Sequence, residues 1–270
     1  MLMVHLPREH KEPGGGSTAL SPRRILLTGA AGRIGTAFRQ AHGQDYRFRL
    51  ADLEPGAVVA TPGDGHEVIH LDVADAAACR AACTGIDTVI HLAADPRPDA
   101  PWDSLLVNNI QGVVNICEAA LTAGCRRVVF ASSAHVIGAY LPEVMLADDA
   151  PPRPGNLYGA SKAFGESTLS AFAQRGLSGI AIRIGAYDAP WYYGDTDPNV
   201  AAAYLSPRDM NQLLVRAIET PHISYAVVAG ISNNQRKRFD LRQTRALLGY
   251  EPQDDGFRVR AEHAARKSAT

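Results

Sequence analysis

Tyr158 and Lys162 stand four residues apart in Tyr158-Gly-Ala-Ser-Lys162. At that spacing two side chains share one face of a helix. A free tyrosine has a pKa near 10, so acting as a base near neutrality takes a loss of roughly 3 units, about 4 kcal/mol of differential stabilisation. A fixed ammonium nearby acts in that direction. The same spacing is common in surface pairs, so a third group has to tip the balance. Ser133 does so. It follows the apolar run Arg127–Ser132, in Ser132-Ser-Ala-His135. A hydroxyl at a strand's carboxyl end can donate to, or accept from, a reacting C–OH or C=O group. Ser133, Tyr158 and Lys162 together can form a proton-transfer constellation. His135 reads equally as a substrate contact or as a packed ring.

The partner of such chemistry is read from Thr28-Gly-Ala-Ala-Gly-Arg-Ile-Gly35, a glycine-rich turn between a strand and a helix. Gly29 permits the tight turn, Gly32 lets backbone approach a phosphate, and Gly35 lets the helix lie close to the strand. The helix N-terminus then offers free N–H groups and partial positive charge to a pyrophosphate, with Ala31, Arg33 and Ile34 beside it. Asp52 ends the second strand about 20 residues later, where a carboxylate accepts from adenosine ribose hydroxyls and repels a 2′-phosphate. NAD is therefore favoured over NADP. Arg33 is a mild counter-signal, since a nearby Arg can accommodate that phosphate. Asp72 and Val73 end the third strand and could border an adenine.

These residues need a scaffold. Short apolar runs alternate with helical stretches from Arg23 onward. Strands are expected at Arg24–Thr28, Arg47–Leu50, Val68–Leu71, Thr88–His91, Arg127–Ser132, Gly179–Ile184 and Ser224–Val228. Helices are expected at Arg33–Ala41, Ala74–Cys83, Ser104–Ala123, Leu157–Arg175, Pro207–Glu219 and Leu241–Leu248. This alternation predicts an α/β fold, a Rossmann-type doubly wound parallel sheet covered on both faces. Residues 23–185, completed by 206–230, form the dinucleotide-binding domain. Residues 186–205 and 231–270 form a small C-terminal substrate lobe. The first of these segments is loop-like and aromatic; the second is polar and short on strands. Both follow strand ends, where ligands of such sheets sit. Residues 1–22, with Pro13-Gly-Gly-Gly16, read as a flexible tail.

Bulk composition narrows the function. The 270 residues are 46% hydrophobic with formal net charge −1. That supplies a core and offers no global basic field for nucleic acid or anionic lipid. The run Arg236-Lys-Arg238 reads as a solvated turn. No apolar run approaches the roughly 20 residues that span a bilayer, and Met1–Leu6 lacks a signal-peptide core. A cytoplasmic location is expected. Cys79, Cys83, Cys117 and Cys125 fit packed, reduced thiols, and no Cys/His set completes a metal tetrad.

Taken together, the residues resemble the extended short-chain dehydrogenase/reductase family, also called the NAD-dependent epimerase/dehydratase family. The matching pieces are Thr28–Gly35, Asp52, Asp72-Val73, His91-Leu-Ala-Ala94, Asn109, Ser132–Gly138 and Tyr158–Lys162. The resemblance implies Ser133, Tyr158 and Lys162 as the catalytic set, with Asn109 holding the active-site helix. It also implies Leu92, Ala93 and Ala94, with Ile184 of Arg183-Ile-Gly185, beside the cofactor. Within the family the chain looks most like the uronate dehydrogenases, which oxidise a sugar acid's anomeric carbon to a lactone with NAD. The likeness weakens where substrate should touch. Ala134 stands where those enzymes have Asn, Ala186 where they have Ser, and Asn199 where they place an Arg for the carboxylate. Losing an Arg fork removes charge-assisted recognition of a carboxylate; Arg208 is a candidate replacement, although a surface Arg at a helix start is the simpler reading.

The expected activity is NAD-dependent oxidation of a hydroxyl on a small sugar or sugar-acid-like molecule. Two alternatives are a nucleotide-sugar epimerase with tightly held NAD and a non-catalytic dinucleotide-sensing regulator. The helices Ser104–Ala123 and Leu157–Arg175 often form a dimer interface in this family, so a homodimer is expected.

Overall fold

The computed structural model describes residues 22–58 and 65–268; residues 1–21 of the expected tail lie outside the described residues. The central sheet has seven strands: β1 (Arg24–Thr28), β2 (Arg47–Asp52), β3 (Glu67–His70), β4 (Thr88–His91), β5 (Arg127–Ser133), β6 (Ser178–Ile184) and β7 (Tyr225–Gly230). All pair in parallel, in the spatial order β7-β6-β5-β4-β1-β2-β3. The order reverses between β1 and β4, which opens a crevice at their carboxyl ends. Side chains alternate across the pleat. Ile25 and Leu27 therefore join one buried cluster and Leu26 the other, giving a core on each face.

Helices α1 (Arg33–His42), α2 (Ala76–Cys83), α3, α4 (Leu157–Ala173) and α5 (Pro207–Glu219) cover the faces. Helix α3 is one continuous run: Trp102–Ser104, then the π-type stretch Leu105–Gln111, then Gly112–Thr122. Caps follow the sequence. Asp75, Asn156 and Ser206 each accept from a first-turn N–H of the helix they precede. Helix α1 has no side-chain cap.

Helix α4 is fastened to the sheet by charge. Arg183 of β6 forms a two-pronged pair with Glu166 of α4, at 2.9 and 2.8 Å, and both side chains are almost fully buried. Ser132 donates to the same carboxylate at 2.6 Å, and Arg183 also donates to the Ala150 carbonyl at 2.6 Å. Gly165 allows close approach: a Cβ there would stand 2.4 Å from the Phe130 ring.

The remaining segments form two short strand pairs. Ala186–Tyr187 pairs with Tyr204–Leu205, and Leu146–Ala147 with Phe239–Asp240. Two helices follow the sheet, α6 (Arg242–Leu248) and α7 (Gly256–Ser268). The sequence reading did not expect α7. Only its Gly256 is buried, so it carries no apolar stripe to read. The aromatic segment folds onto it: Tyr192 donates to the Gly256 carbonyl at 2.7 Å, and Tyr193 stacks on His263 at 4.4 Å. The run at Arg236–Arg238 is solvated only in part: Arg236 is exposed and Lys237 half-buried. Arg238 is buried and donates to the Leu141 and Val144 carbonyls at 2.6 and 2.7 Å, because those loop carbonyls have no strand partner. No helix among the described residues is long and apolar enough to cross a membrane.

Replacing Glu166 by Ala leaves the Arg183 guanidinium buried and unpaired. The expected loss is about 3–5 kcal/mol in urea unfolding, while Glu166→Met combined with Arg183→Met costs less than either single change.

Candidate active site

The carboxyl ends of the strands open onto one cleft of about 1170 Å³. Beneath β2 and β3 it is bordered by Asp52, Leu53, Glu54, Ala57, Leu71 and Val73. The glycine turn, with Ala31, Arg33 and Ile34, forms its middle. Beyond β5 and β6 it reaches Ser133, Ala134, His135, Tyr158, Lys162 and Ile184.

The middle is shaped for an anion. Gly29 has φ +68°, and a Cβ there would stand 2.9 Å from Ala93 N. A Cβ on Gly35 would stand 2.6 Å from the Gly29 carbonyl oxygen. Backbone alone fits these places. Because no side chain caps α1, its first N–H groups remain open to a ligand's phosphate oxygens. Asp52 Oδ2 accepts from Ala31 N at 2.9 Å and Oδ1 from Glu54 N at 3.3 Å, which fixes the carboxylate at the cleft with lone pairs to spare. Arg33 does not offer itself to a 2′-phosphate beside Asp52. Its Nη1 donates to the Asp188 and Tyr187 carbonyls at 2.8 and 3.5 Å. These residues fit a dinucleotide whose ribose is unphosphorylated. Leu92, Ala93 and Ala94 follow β4 and line the same cleft.

At the chemical end, Ser133 closes β5 and its Oγ accepts from the His135 N–H at 3.1 Å. Tyr158 lies in the first turn of α4 and is buried. Burial raises its phenol above the usual range; the bond with Ser133 lowers it and the charge of Asp95 raises it. The expected acidification by Lys162 is not what the protein groups deliver. The Lys162 Nζ lies over the Phe130 ring, 5.0 Å from its centroid, and 5.8 Å from that of Tyr158. Burial pushes this amine down to about 8. His91 beneath it is driven down to about 3 by burial, then by Lys162, and is neutral. Burial likewise lowers His135.

Asn109 does not line the cleft. It sits in the π-type stretch of α3 and clamps α4 from behind. Its Nδ2 donates to Ser161 Oγ at 3.0 Å and to the Asp95 carbonyl at 3.1 Å, and its Oδ1 accepts from Asp95 N at 2.8 Å. Ser161 in turn donates to the Tyr158 carbonyl at 2.7 Å.

Two more of the expected residues stand outside the cleft lining. Arg208 does not border the cleft: its guanidinium pairs with Asp254, Nε to Oδ2 at 3.1 Å, at the start of α5. Asp72 is also outside the lining, because its carboxylate turns back to accept from Ala74 N at 2.9 Å. Ala186 and Asn199 do line the cleft. Asn199 Oδ1 accepts from Arg236 Nη2 at 2.7 Å, so a cation from a distant segment stands behind it. Trp191, of the aromatic stretch expected to wall the pocket, lines the cleft, as do Asp197 and Pro96, which were not singled out from sequence. Asn156 was missed too, although an Asn just before an apolar helix is a readable N-cap signal.

Lys162 also sets a pH test. Its folded value lies below the ordinary 10.5, so the buried charge destabilises the fold fully below pH 8. Between about 8 and 10.5 the unfolded chain binds more protons, and this penalty fades as pH rises. A shift of that size corresponds to about 3 kcal/mol. Lys162→Met is expected to raise the thermal midpoint at pH 7 by several degrees, with the gain shrinking above pH 9, in calorimetric scans across that range.

A family model described as the NAD dependent epimerase/dehydratase family matches residues 25–211. An NAD-dependent glucose-6-phosphate dehydrogenase of Haloferax volcanii is 41% identical over 250 residues, spanning 86% of this chain and 93% of that protein. A uronate dehydrogenase of Pseudomonas putida is 37% identical over 88% of this chain and 87% of its own length. The crystal structure of uronate dehydrogenase from Agrobacterium tumefaciens superposes with a TM-score of 0.80 at 33% identity, covering 89% of this chain and 88% of that one. With a model match over more than half its residues and relatives aligned along nearly their whole length, this chain belongs to the NAD dependent epimerase/dehydratase family.

Proposed function

We propose that the chain is an NAD-dependent dehydrogenase that oxidises a hydroxyl of a small sugar or sugar-acid-like substrate, or reduces the corresponding carbonyl. One observation carries the reading. Ser133, Tyr158 and Lys162 converge at one end of a cleft that has the glycine turn at its middle and Asp52 towards its other end. The sugar class rests on the relatives named for glucose 6-phosphate and uronate.

Bound NAD would supply the hydride acceptor. The glycine turn and the α1 N-terminus would hold its pyrophosphate, and Asp52 its adenosine ribose. Ser133 holds the reacting oxygen by a hydrogen bond. The Tyr158 side chain, as the phenolate, takes its proton and becomes the phenol. Lys162 keeps an ammonium on the same helix face, which would favour the phenolate only together with the positive nicotinamide of bound oxidised NAD. Asn109, through Ser161, holds the Tyr158 turn at a fixed height. Ala134, His135, Ala186 and Asn199 border the substrate. The segments 186–205 and 231–270 act as the substrate lobe. Arg236, behind Asn199, supports a substrate with an anionic group.

Mixing the protein with NAD and D-glucose 6-phosphate, D-glucuronate or D-glucose should release NADH in stoichiometric excess over enzyme, read at 340 nm. No absorbance gain with any sugar, together with interconversion of a nucleotide sugar, would establish an epimerase instead. Tyr158→Phe should lower kcat at least 100-fold while leaving the Kd for NAD within a few-fold.

The chain also acts, on this reading, as a homodimer. Trp102, Leu106 and Val107 on α3 and Phe164 on α4 are exposed apolar side chains on neighbouring helices. Light scattering at micromolar concentration should return twice the chain mass, and Leu106→Glu with Phe164→Glu should return it once.

A further inference from the structure

His135 is docked on the first turn of α4 by three features. Gly159 lacks a Cβ, which would otherwise stand 2.3 Å from the His135 carbonyl oxygen. The imidazole packs edge-on against the Tyr158 ring, with centroids 5.4 Å apart and planes at 74°. Its Nδ1 lies 3.1 Å from Asn156 Nδ2.

The third contact decides which nitrogen carries the proton. Asn156 is the N-cap of α4, and its Oδ1 accepts from Gly159 N at 2.7 Å. A backbone N–H requires an acceptor, so the amide oxygen must face Gly159. The NH₂ group is then the part that faces His135. A donor there requires a bare lone pair on Nδ1. The proton of a neutral ring must sit on Nε2. That atom has no protein partner among the described residues and is not among the buried atoms left unsatisfied. It belongs to a residue that lines the cleft beside Ser133 and Tyr158.

We infer that Asn156 is a positioning residue that locks His135 in its Nε2–H form, so that the imidazole is a hydrogen-bond donor to a substrate oxygen and not a base. The inference rests on the proposed sugar dehydrogenase. One residue serves both duties: the cap that starts the Tyr158 helix also sets the polarity of the neighbouring ring. Tyr158 then has no competitor for the hydroxyl proton, since the accessible nitrogen of His135 offers no lone pair.

Two substitutions separate the duties. Asn156→Ser keeps a capping oxygen and removes the amide donor. Asn156→Asp keeps the cap and replaces the donor with a carboxylate oxygen, which demands a proton on Nδ1. The first measurement is ¹⁵N NMR of histidine-labelled protein at pH 8, with the His135 signals assigned from His135→Gln. The wild type should show an unprotonated Nδ1 and a protonated Nε2. Asn156→Asp should show a protonated Nδ1. A protonated Nδ1 in the wild type, or an unchanged pattern in Asn156→Asp, overturns the inference even if no sugar is turned over. The second measurement is steady-state kinetics with whichever of the three sugars the wild type oxidises fastest. Asn156→Ser should raise KM for the sugar about tenfold, with kcat and the Kd for NAD changed less than threefold. Equal KM values would overturn it.

Discussion

A lysine ammonium buried without a carboxylate is the constraint around which this molecule is arranged. Lys162 is almost fully inside the protein, and no acid lies within ion-pair distance among the described residues. Burial alone therefore acts on it, and the cost appears as the fall to about 8. What the fold supplies is a floor, the Phe130 ring at 5.0 Å, which favours a cation through its π face. That floor exists because Gly165, one turn further along α4, leaves room for the ring. A residue that weakens the fold is retained at the end of the cleft where Ser133 and Tyr158 also meet.

Holding such a helix in place takes charge pairs and clamps elsewhere. Glu166 follows Lys162 by one turn and accepts from Arg183 and Ser132. Asn109 reaches α4 from the opposite side through Ser161. The acids and amides that might have paired with Lys162 are thus spent on the backbone and on one another. The same economy holds at the turn, where Asp52 grips Ala31 N and Arg33 grips the loop at Tyr187 and Asp188. Local polar groups shape the cleft, and the strand ends aim it.

Membership of the family, the NAD-binding fold and a sugar-like substrate form one consistent picture. The glycine turn, Asp52 and Ser133 all lie at carboxyl ends of strands of one sheet, because β1, β2, β4 and β5 run the same way. Of the aromatic residues between 187 and 204, Tyr192 and Tyr193 pack on α7, while Tyr187 and Trp191 line the cleft.

Much of this was legible in the chain itself. Strands β1 to β7 are short apolar runs with turn residues between them, and α5 begins at a readable Ser206-Pro207 cap. The glycine spacing and the Tyr158–Lys162 spacing are local, so periodicity alone puts each on the right element. Other features depend on partners distant in sequence. Arg208 looked like a free cation until Asp254 met it, and Arg238 looked solvated until the 141–144 carbonyls closed on it. Helix α7 had no apolar stripe to announce it. The chain determined which groups exist and on which local element they ride. Only tertiary packing decided which charges are neutralised, which are buried and which nitrogen of His135 bears the proton, because those depend on long-range neighbours and on the exclusion of water.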